Sequence, residues 1–119
     1  MLLVDTSVWV EHLRSGDPRL AKALERGEVL VHPFVLGEIA LGNLSQRDAV
    51  LGALGNLPRP TTATDAEVMS FIDQAGLHGR GIGFVDAHLL ASARLTPGST
   101  LWTRDRRLGE AATLLGLAA

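Results

Sequence analysis

Four acidic side chains are the strongest candidates for chemistry, because ordinary surface roles do not explain their positions. They are Asp5, Glu38, Asp86 and Asp105. The two outer aspartates closely follow short apolar segments that are typical of buried strands, at residues 2–4 and 100–103. The two inner acids have mostly apolar neighbours three and four positions away on predicted helices, and no cation among them. An unpaired carboxylate in such surroundings is expected to pair, take up a proton or bind a metal ion.

These four acids could meet at one edge of a parallel sheet, because the carboxyl ends of the strands are where such folds bind ligands. Adjacent carboxylates repel one another, and a divalent cation relieves that repulsion. Mg²⁺ and Mn²⁺ favour carboxylate and water oxygens. The chain has no cysteine and no two histidines at helical spacing, which argues against zinc. The hydroxyls of Ser7 and Thr103 are placed to orient the ligating carboxylates.

Some of these positions also have a structural explanation. Asp5, Thr6 or Ser7 could cap the helix after the first strand, and a hydroxyl could do so while Asp5 faces a site. Asp86 stands in the first turn of a predicted helix, where the helix dipole favours an acid. Glu38 lies too deep in its helix for that explanation, and we expect it to face the core.

The elements that must position these side chains are short apolar strands alternating with helical segments. We predict strands at residues 2–4, 29–31 and 100–103, and a glycine-rich loop at 76–83. The predicted helices cover residues 7–14, 18 to a cap at 27, 34–44, 45 past 54, 64 past 72, 84–95 and 106–115. This order indicates an α/β fold with a short, mostly parallel central sheet flanked by helices. The 119 residues, without linker or repeat, predict one domain over residues 1–119.

The composition limits the classes of function. Hydrophobic residues make up 46% of the chain, enough for a core without disulfides. The formal charge of −2 argues against coating nucleic acid by bulk charge, so any such contact must be local or assisted by a metal. No apolar run approaches the roughly 20 residues of a membrane span, and we see no signal peptide. Together with the absence of cysteine, these features favour a cytoplasmic protein.

Four segments resemble the PIN-domain family, in particular the VapC-type toxins of bacterial toxin–antitoxin pairs. They follow the family's order over nearly the whole chain: LVDTS at residues 3–7, Glu38 in a helix after Pro33, DAHLLASA at 86–93 and LWTRD at 101–105. The resemblance implies a ribonuclease that depends on Mg²⁺ or Mn²⁺, a cognate antitoxin, and a homodimer that joins antitoxin in a hetero-oligomer. It implies that Thr103 supplies the hydroxyl of the family's Thr-x-Asp motif. It also implies that the metal ligands are Asp5, Glu38, Asp86 and Asp105.

The expected reaction is hydrolysis of RNA phosphodiester bonds, with one carboxylate, such as Glu38, taking the proton of the attacking water. Four arginines are candidates for gripping the RNA backbone: Arg80, Arg104, Arg106 and Arg107. The alternative for them is a solvated basic patch, or an ion pair with Glu110. Many relatives carry another acid after the last aspartate, where this chain has Arg106 and Arg107, so the number of metal ions stays open.

Three other functions fit parts of this pattern. A phosphoacceptor receiver domain also groups acids and a threonine at strand ends, but it needs a nearby lysine, and Lys22 lies in a predicted surface helix. A double-aspartate phosphatase needs an acid two positions after Asp5, where this chain has Ser7. A non-catalytic module that binds RNA or a partner would not need all four acids. His12 could approach Asp5, but we favour a structural role for it.

Overall fold

The computed structural model describes residues 1–119 and contains three strands and seven helices. In chain order these are β1 (Leu2–Val4), α1 (Thr6–Ser15), α2 (Pro18–Glu25), β2 (Val29–Leu30), α3 (Pro33–Ala40), α4 (Arg47–Gly55), α5 (Asp65–Ala75), α6 (Phe84–Leu95), β3 (Thr100–Trp102) and α7 (Arg106–Leu114). Helices fill both connections between successive strands, as parallel pairing requires. None of the seven helices combines the length and apolar character needed to cross a membrane.

The three strands form one parallel sheet with β1 in the middle. β1 pairs with β2 on one side and with β3 on the other, so that Leu3 lies opposite both Leu30 and Leu101. Leu3 is fully buried, because a central strand of this kind is covered on both faces. The carboxyl ends of β1 and β3 therefore meet at the same edge, where Asp5 and Thr103 follow them. The predicted α/β fold with a short parallel sheet is confirmed.

A hydrophobic core of 21 buried residues holds the helices on the sheet. It includes Trp9 from α1 together with Leu89 and Leu90 from α6. α6 is covered along most of its length, since residues 87–93 are all buried. Burying one leucine side chain contributes about 2 kcal/mol. This packing fixes the position of the helix whose first turn carries Asp86.

Several helix ends lie where the sequence predicts them. α6 spans residues 84–95, as predicted. α5 begins with the predicted capping box, in which Thr64 and Glu67 each accept the backbone N–H of the other. Asp17 caps α2 by accepting two backbone N–H groups of its first turn. In each case a side chain satisfies amides that the helix itself leaves unpaired.

The junction between α3 and α4 differs from the prediction. α3 ends at Ala40 and not near residue 44, and α4 begins at Arg47 and not at Ser45. Gln46 has φ of 52° and is the only non-glycine residue with positive φ. This left-handed conformation is incompatible with a helix that continues through residue 46. A turn therefore separates the two helices where the apolar pattern predicts almost continuous helix.

Candidate active site

Asp5 is the most buried of the four acids. Its side chain is 7% exposed at the end of β1. Oδ2 accepts hydrogen bonds from Ser7 Oγ over 2.7 Å and from Thr103 Oγ1 over 2.8 Å. Asp5 stands at the N-cap position of α1, but only its backbone carbonyl accepts from the helix. Its carboxylate is therefore oriented by two hydroxyls and is not used as a cap.

The hydroxyls of Ser7 and Thr103 join the two strand ends. Their oxygens lie 3.3 Å apart, and both donate to the same oxygen of Asp5. Ser7 Oγ also accepts from the Arg104 amide, and Thr103 Oγ1 accepts from the Asp105 amide, each over 3.0 Å. The network links residues that follow β1 to residues that follow β3. It thus fixes Asp5 relative to the segment that carries Asp105.

Glu38 is exposed, and the expectation that it faces the core is wrong. The core side of α3 carries Val35 and Ile39, which are buried. Thr6 Oγ1 donates to Glu38 Oε1 over 2.7 Å and so ties α3 to the start of α1. Sequence reasoning missed this role of Thr6. The available signal was a second hydroxyl directly after the aspartate that ends the first strand.

Asp86 and Asp105 are each held by a backbone amide at a helix start. Asp86 Oδ2 accepts from the Gly83 amide over 3.1 Å at the beginning of α6. Asp105 Oδ1 accepts from the Leu108 amide over 2.9 Å and caps α7. The structural role expected for Asp86 at a helix start therefore applies to one oxygen of its carboxylate, and Asp105 fills a similar role as the cap of α7. Their other oxygens remain available for a different interaction.

The four carboxylates share one pattern of contacts. In each, one oxygen accepts from the protein and the other accepts no hydrogen bond from it. No arginine, lysine or histidine forms an ion pair with any of the four. Burial raises the pKa of Asp86, and the nearby negative charges of the other three acids raise it further, against the opposing effect of the Gly83 amide. Asp86 therefore lies within electrostatic range of the other three acids, and no side chain neutralises any of the four.

The donor chemistry of this group fits a hard divalent cation. All the free acceptors are carboxylate oxygens, which Mg²⁺ and Mn²⁺ prefer. The acids do not form a closed cage, since no three His, Cys, Asp or Glu side chains stand close enough to hold a metal ion by themselves. Mg²⁺ does not need such a cage, because it retains several waters and is commonly bound through one or two carboxylates.

The four candidate arginines differ in their partners. Arg104 pairs with Asp17 over 3.4 Å, and Arg106 pairs with Glu110 over 3.1 Å, so both are partly neutralised. Arg80 Nε donates to a backbone carbonyl, and neither Arg80 nor Arg107 has a carboxylate partner. The side chain of Arg107 lies against the backbone of Gly81, where an added Cβ would stand 2.6 Å from Nη1. The two arginines with uncompensated charge thus belong to, or contact, the glycine-rich loop before α6.

Two further side chains bear on the alternative functions. His12 Nδ1 accepts from the Asp17 amide over 3.0 Å, which is the structural role that we favoured for it. Lys22 is exposed on α2, and it forms no ion pair. A receiver domain would need a lysine at the acids. The site instead has carboxylates, hydroxyls and backbone amides.

Comparison with known proteins identifies the family of this chain. The sequence model of the PIN domain matches residues 2–114. Two curated relatives, both named Ribonuclease VapC32, come from two strains of Mycobacterium tuberculosis, CDC 1551 / Oshkosh and ATCC 25618 / H37Rv. Each is 49% identical to this chain over 118 residues, which cover 99% of this chain and 95% of the relative. The chain therefore belongs to the PIN-domain family and, within it, to the VapC group.

Proposed function

We propose that this chain is a metal-dependent endoribonuclease that hydrolyses RNA phosphodiester bonds as the toxin of a toxin–antitoxin pair. The observation that carries the proposal is that Asp86 lies within electrostatic range of the other three carboxylates, and that each of the four has one oxygen held by the protein and one left free. Similarity to ribonucleases of the VapC group, at 49% identity, supports the same reaction class.

The proposed ligands of Mg²⁺ or Mn²⁺ are Asp5 and Asp105, with Asp86 and Glu38 close by. When bound, the ion supplies a Lewis acid that favours ionisation of a water and offsets charge on the phosphate. Asp5 suits a ligand role because two hydroxyls fix its orientation and leave Oδ1 free.

Glu38 is our candidate for the general base. It is exposed to solvent, so a water molecule can reach it, and Thr6 holds Oε1 so that Oε2 is left to accept a proton. Asp5 and Asp105 are less suited, because they are the proposed metal ligands and each has a single free oxygen, which the ion would take.

RNA binding is assigned to the four arginines around the acids. Arg80 and Arg107 have no carboxylate partner, so they can offer full charges to phosphate groups. Arg104 and Arg106 must first exchange their contacts with Asp17 and Glu110. We therefore expect Arg80 and Arg107 to contribute more to RNA affinity than Arg104 and Arg106.

The proposed protein partners are a cognate antitoxin and a second copy of this chain, with all components in the cytoplasm where the RNA is. An apolar helix of the antitoxin would fit the groove between α1, α3 and α4, with an arginine directed at Glu38 on the groove's rim. Such a complex would keep the toxin inactive and would extend the homodimer into a hetero-oligomer. The apolar side chains that line this groove are Val10, Leu13, Ile39, Leu44 and Val50.

Cleavage of labelled RNA by the purified protein tests the function. We expect cleavage with Mg²⁺ or Mn²⁺, none with excess chelator, and a higher Tm in Mn²⁺ because the ion binds only the folded acids. Asp5→Asn and Asp105→Asn should abolish both cleavage and growth arrest while preserving the circular dichroism spectrum. Asp73→Asn, an exposed acid of α5 outside the site, is the matched control. Cleavage by the two site variants at the rate of the parent would disprove the assignment.

A further inference from the structure

The aromatic side chains of this chain are distributed unequally between the core and the surface. The sequence has three phenylalanines, two tryptophans and no tyrosine. Only Phe34 and Phe84 are exposed, at 41% and 46%. Phe34 lies one helical turn before Glu38 on α3, and Phe84 lies two residues before Asp86 on α6. Both exposed aromatic rings thus begin the helices that carry two of the site's acids.

These two rings are held by a common buried support. The ring of His88 lies 4.8 Å from that of Phe34 and 4.7 Å from that of Phe84, both in edge-to-face geometry. His88 is 2% exposed, and its Nε2 lies 3.1 Å from Asp65 Oδ1. A second buried imidazole, that of His32, lies 5.0 Å from the Phe34 ring. The phenylalanines are therefore fixed in place before any ligand arrives, although nearly half of each side chain is open to solvent.

An unpaired cation lies near the same cluster. The Val31 amide donates to the Pro58 carbonyl over 2.9 Å, so the backbone at Arg59 runs beside the segment that carries His32. In agreement with this placement, burial lowers the pKa of His32 to about 4, with smaller effects from His88 and Arg59. Arg59 is exposed and forms no ion pair. Fixed aromatic rings beside an uncompensated arginine are the combination that binds single-stranded nucleic acid, in which bases stack and the backbone meets positive charge.

We propose that Phe34 and Phe84 form a stacking surface for a base of single-stranded RNA next to the scissile phosphate, with Arg59 binding the backbone of the same nucleotide. The inference rests on the proposed ribonuclease function and adds residues that position its substrate. Two rings are enough to cover one or two bases, whereas a stable protein interface needs roughly 800 Å² on each partner. Phe34 lies on the same side of α3 as Glu38, four positions later, and Phe84 begins the helix whose first turn carries Asp86, so an RNA strand that crosses the acids passes both helix starts.

The test compares the parent with Phe34→Leu, Phe84→Leu and the double variant. Leucine keeps an apolar side chain of similar size and removes the aromatic face. We expect the double variant to bind a short fluorescein-labelled single-stranded RNA about 10- to 100-fold more weakly in Ca²⁺ than the parent does. In Mg²⁺ we expect KM to rise while kcat at saturating RNA changes little. The control is Phe71→Leu, whose ring is only partly exposed on α5 away from the acids.

An RNA of the same length with all bases removed isolates stacking from charge. The parent should lose affinity on this abasic RNA, and the double variant should lose almost none, since its stacking surface is already gone. Arg59→Gln should reduce the slope of log affinity against log salt by about 0.7 and leave the preference for bases intact.

Three results would overturn the inference. The first is a double variant that binds both RNAs as the parent does, and the second is a parent with no preference for the RNA that has bases. The third is a double variant with a changed sedimentation coefficient and unchanged RNA affinity, which would assign Phe34 and Phe84 to a protein interface. A parent that cleaves no RNA with any divalent ion would instead reject the proposed function, so the two failures are distinguishable.

Discussion

Replacing Thr103 with valine removes one hydroxyl and leaves the shape of the side chain almost unchanged. That hydroxyl donates to Asp5 over 2.8 Å and accepts from the Asp105 amide over 3.0 Å. A hydrogen bond to a charged group contributes about 1.5–3 kcal/mol. Ser7 still donates to the same oxygen of Asp5, and water can replace the lost acceptor at the exposed Asp105 amide. We therefore expect the free energy of unfolding to fall by about 1–2 kcal/mol.

A loss of that size lowers Tm by about 4–8 °C in a domain of this length, which differential scanning fluorimetry detects. We expect a larger effect on cleavage, because side chains that orient metal ligands are worth about 10- to 100-fold in metal affinity or activity. Thr103→Ser is the matched control, since it keeps the hydroxyl and loses only a methyl group. Mn²⁺ titrations of RNA cleavage compare the two variants. Parent-like cleavage by Thr103→Val at limiting Mn²⁺ would show that the Thr103 hydroxyl does not orient a metal ligand.

Three other perturbations have defined outcomes. Asp86→Asn should raise Tm without metal, because it removes a partly buried charge that the other acids repel, and should abolish cleavage; a lower Tm would contradict this. The pKa of His32 is lowered from 6.5 to about 4, so below pH 6.5 the unfolded chain takes up a proton that the folded chain resists. The free energy of unfolding measured in urea should therefore fall by about 3 kcal/mol between pH 7 and pH 4. The control is His32→Asn, which keeps an acceptor for the Phe34 amide and should lack this part of the fall. Gly81→Ala should lower the free energy of unfolding by about 1–2 kcal/mol, because φ at residue 81 is +75° and the Arg107 side chain occupies the space of the added Cβ. Combining it with Arg107→Ala should remove the steric share of this loss and leave the share that is due to φ.

The sheet and the places of its acids could be predicted because they depend on local sequence. A central parallel strand must be apolar throughout, so the change from Val4 to Asp5 marks the end of β1. Caps are similarly local, and the pair of Thr64 and Glu67 identifies the start of α5. From such signals, the convergence of β1 and β3 follows from the rules of parallel sheets.

Properties that depend on tertiary contacts could not be predicted in the same way. The apolar neighbours of Glu38 suggest a core-facing side chain, yet Val35 and Ile39 take the buried face and Glu38 stays outside. The bond from Thr6 to Glu38 joins residues 32 positions apart. The partner of Arg104 is Asp17, which lies 87 positions earlier in the chain. α3 is apolar on several sides, so its own sequence does not decide which of its faces another element will cover.

The network around Asp5 has a consequence for the timing of biosynthesis. Asp5 and Thr103 meet in the folded protein although they are 98 positions apart in the chain. Translation delivers the amino-terminal strand early, and its β3 neighbour becomes available only after nearly a hundred further residues have left the ribosome. A nascent polypeptide therefore carries an incomplete set of acids for most of its elongation. A ribonuclease site that uses Asp105 therefore cannot form until nearly the whole chain has been made.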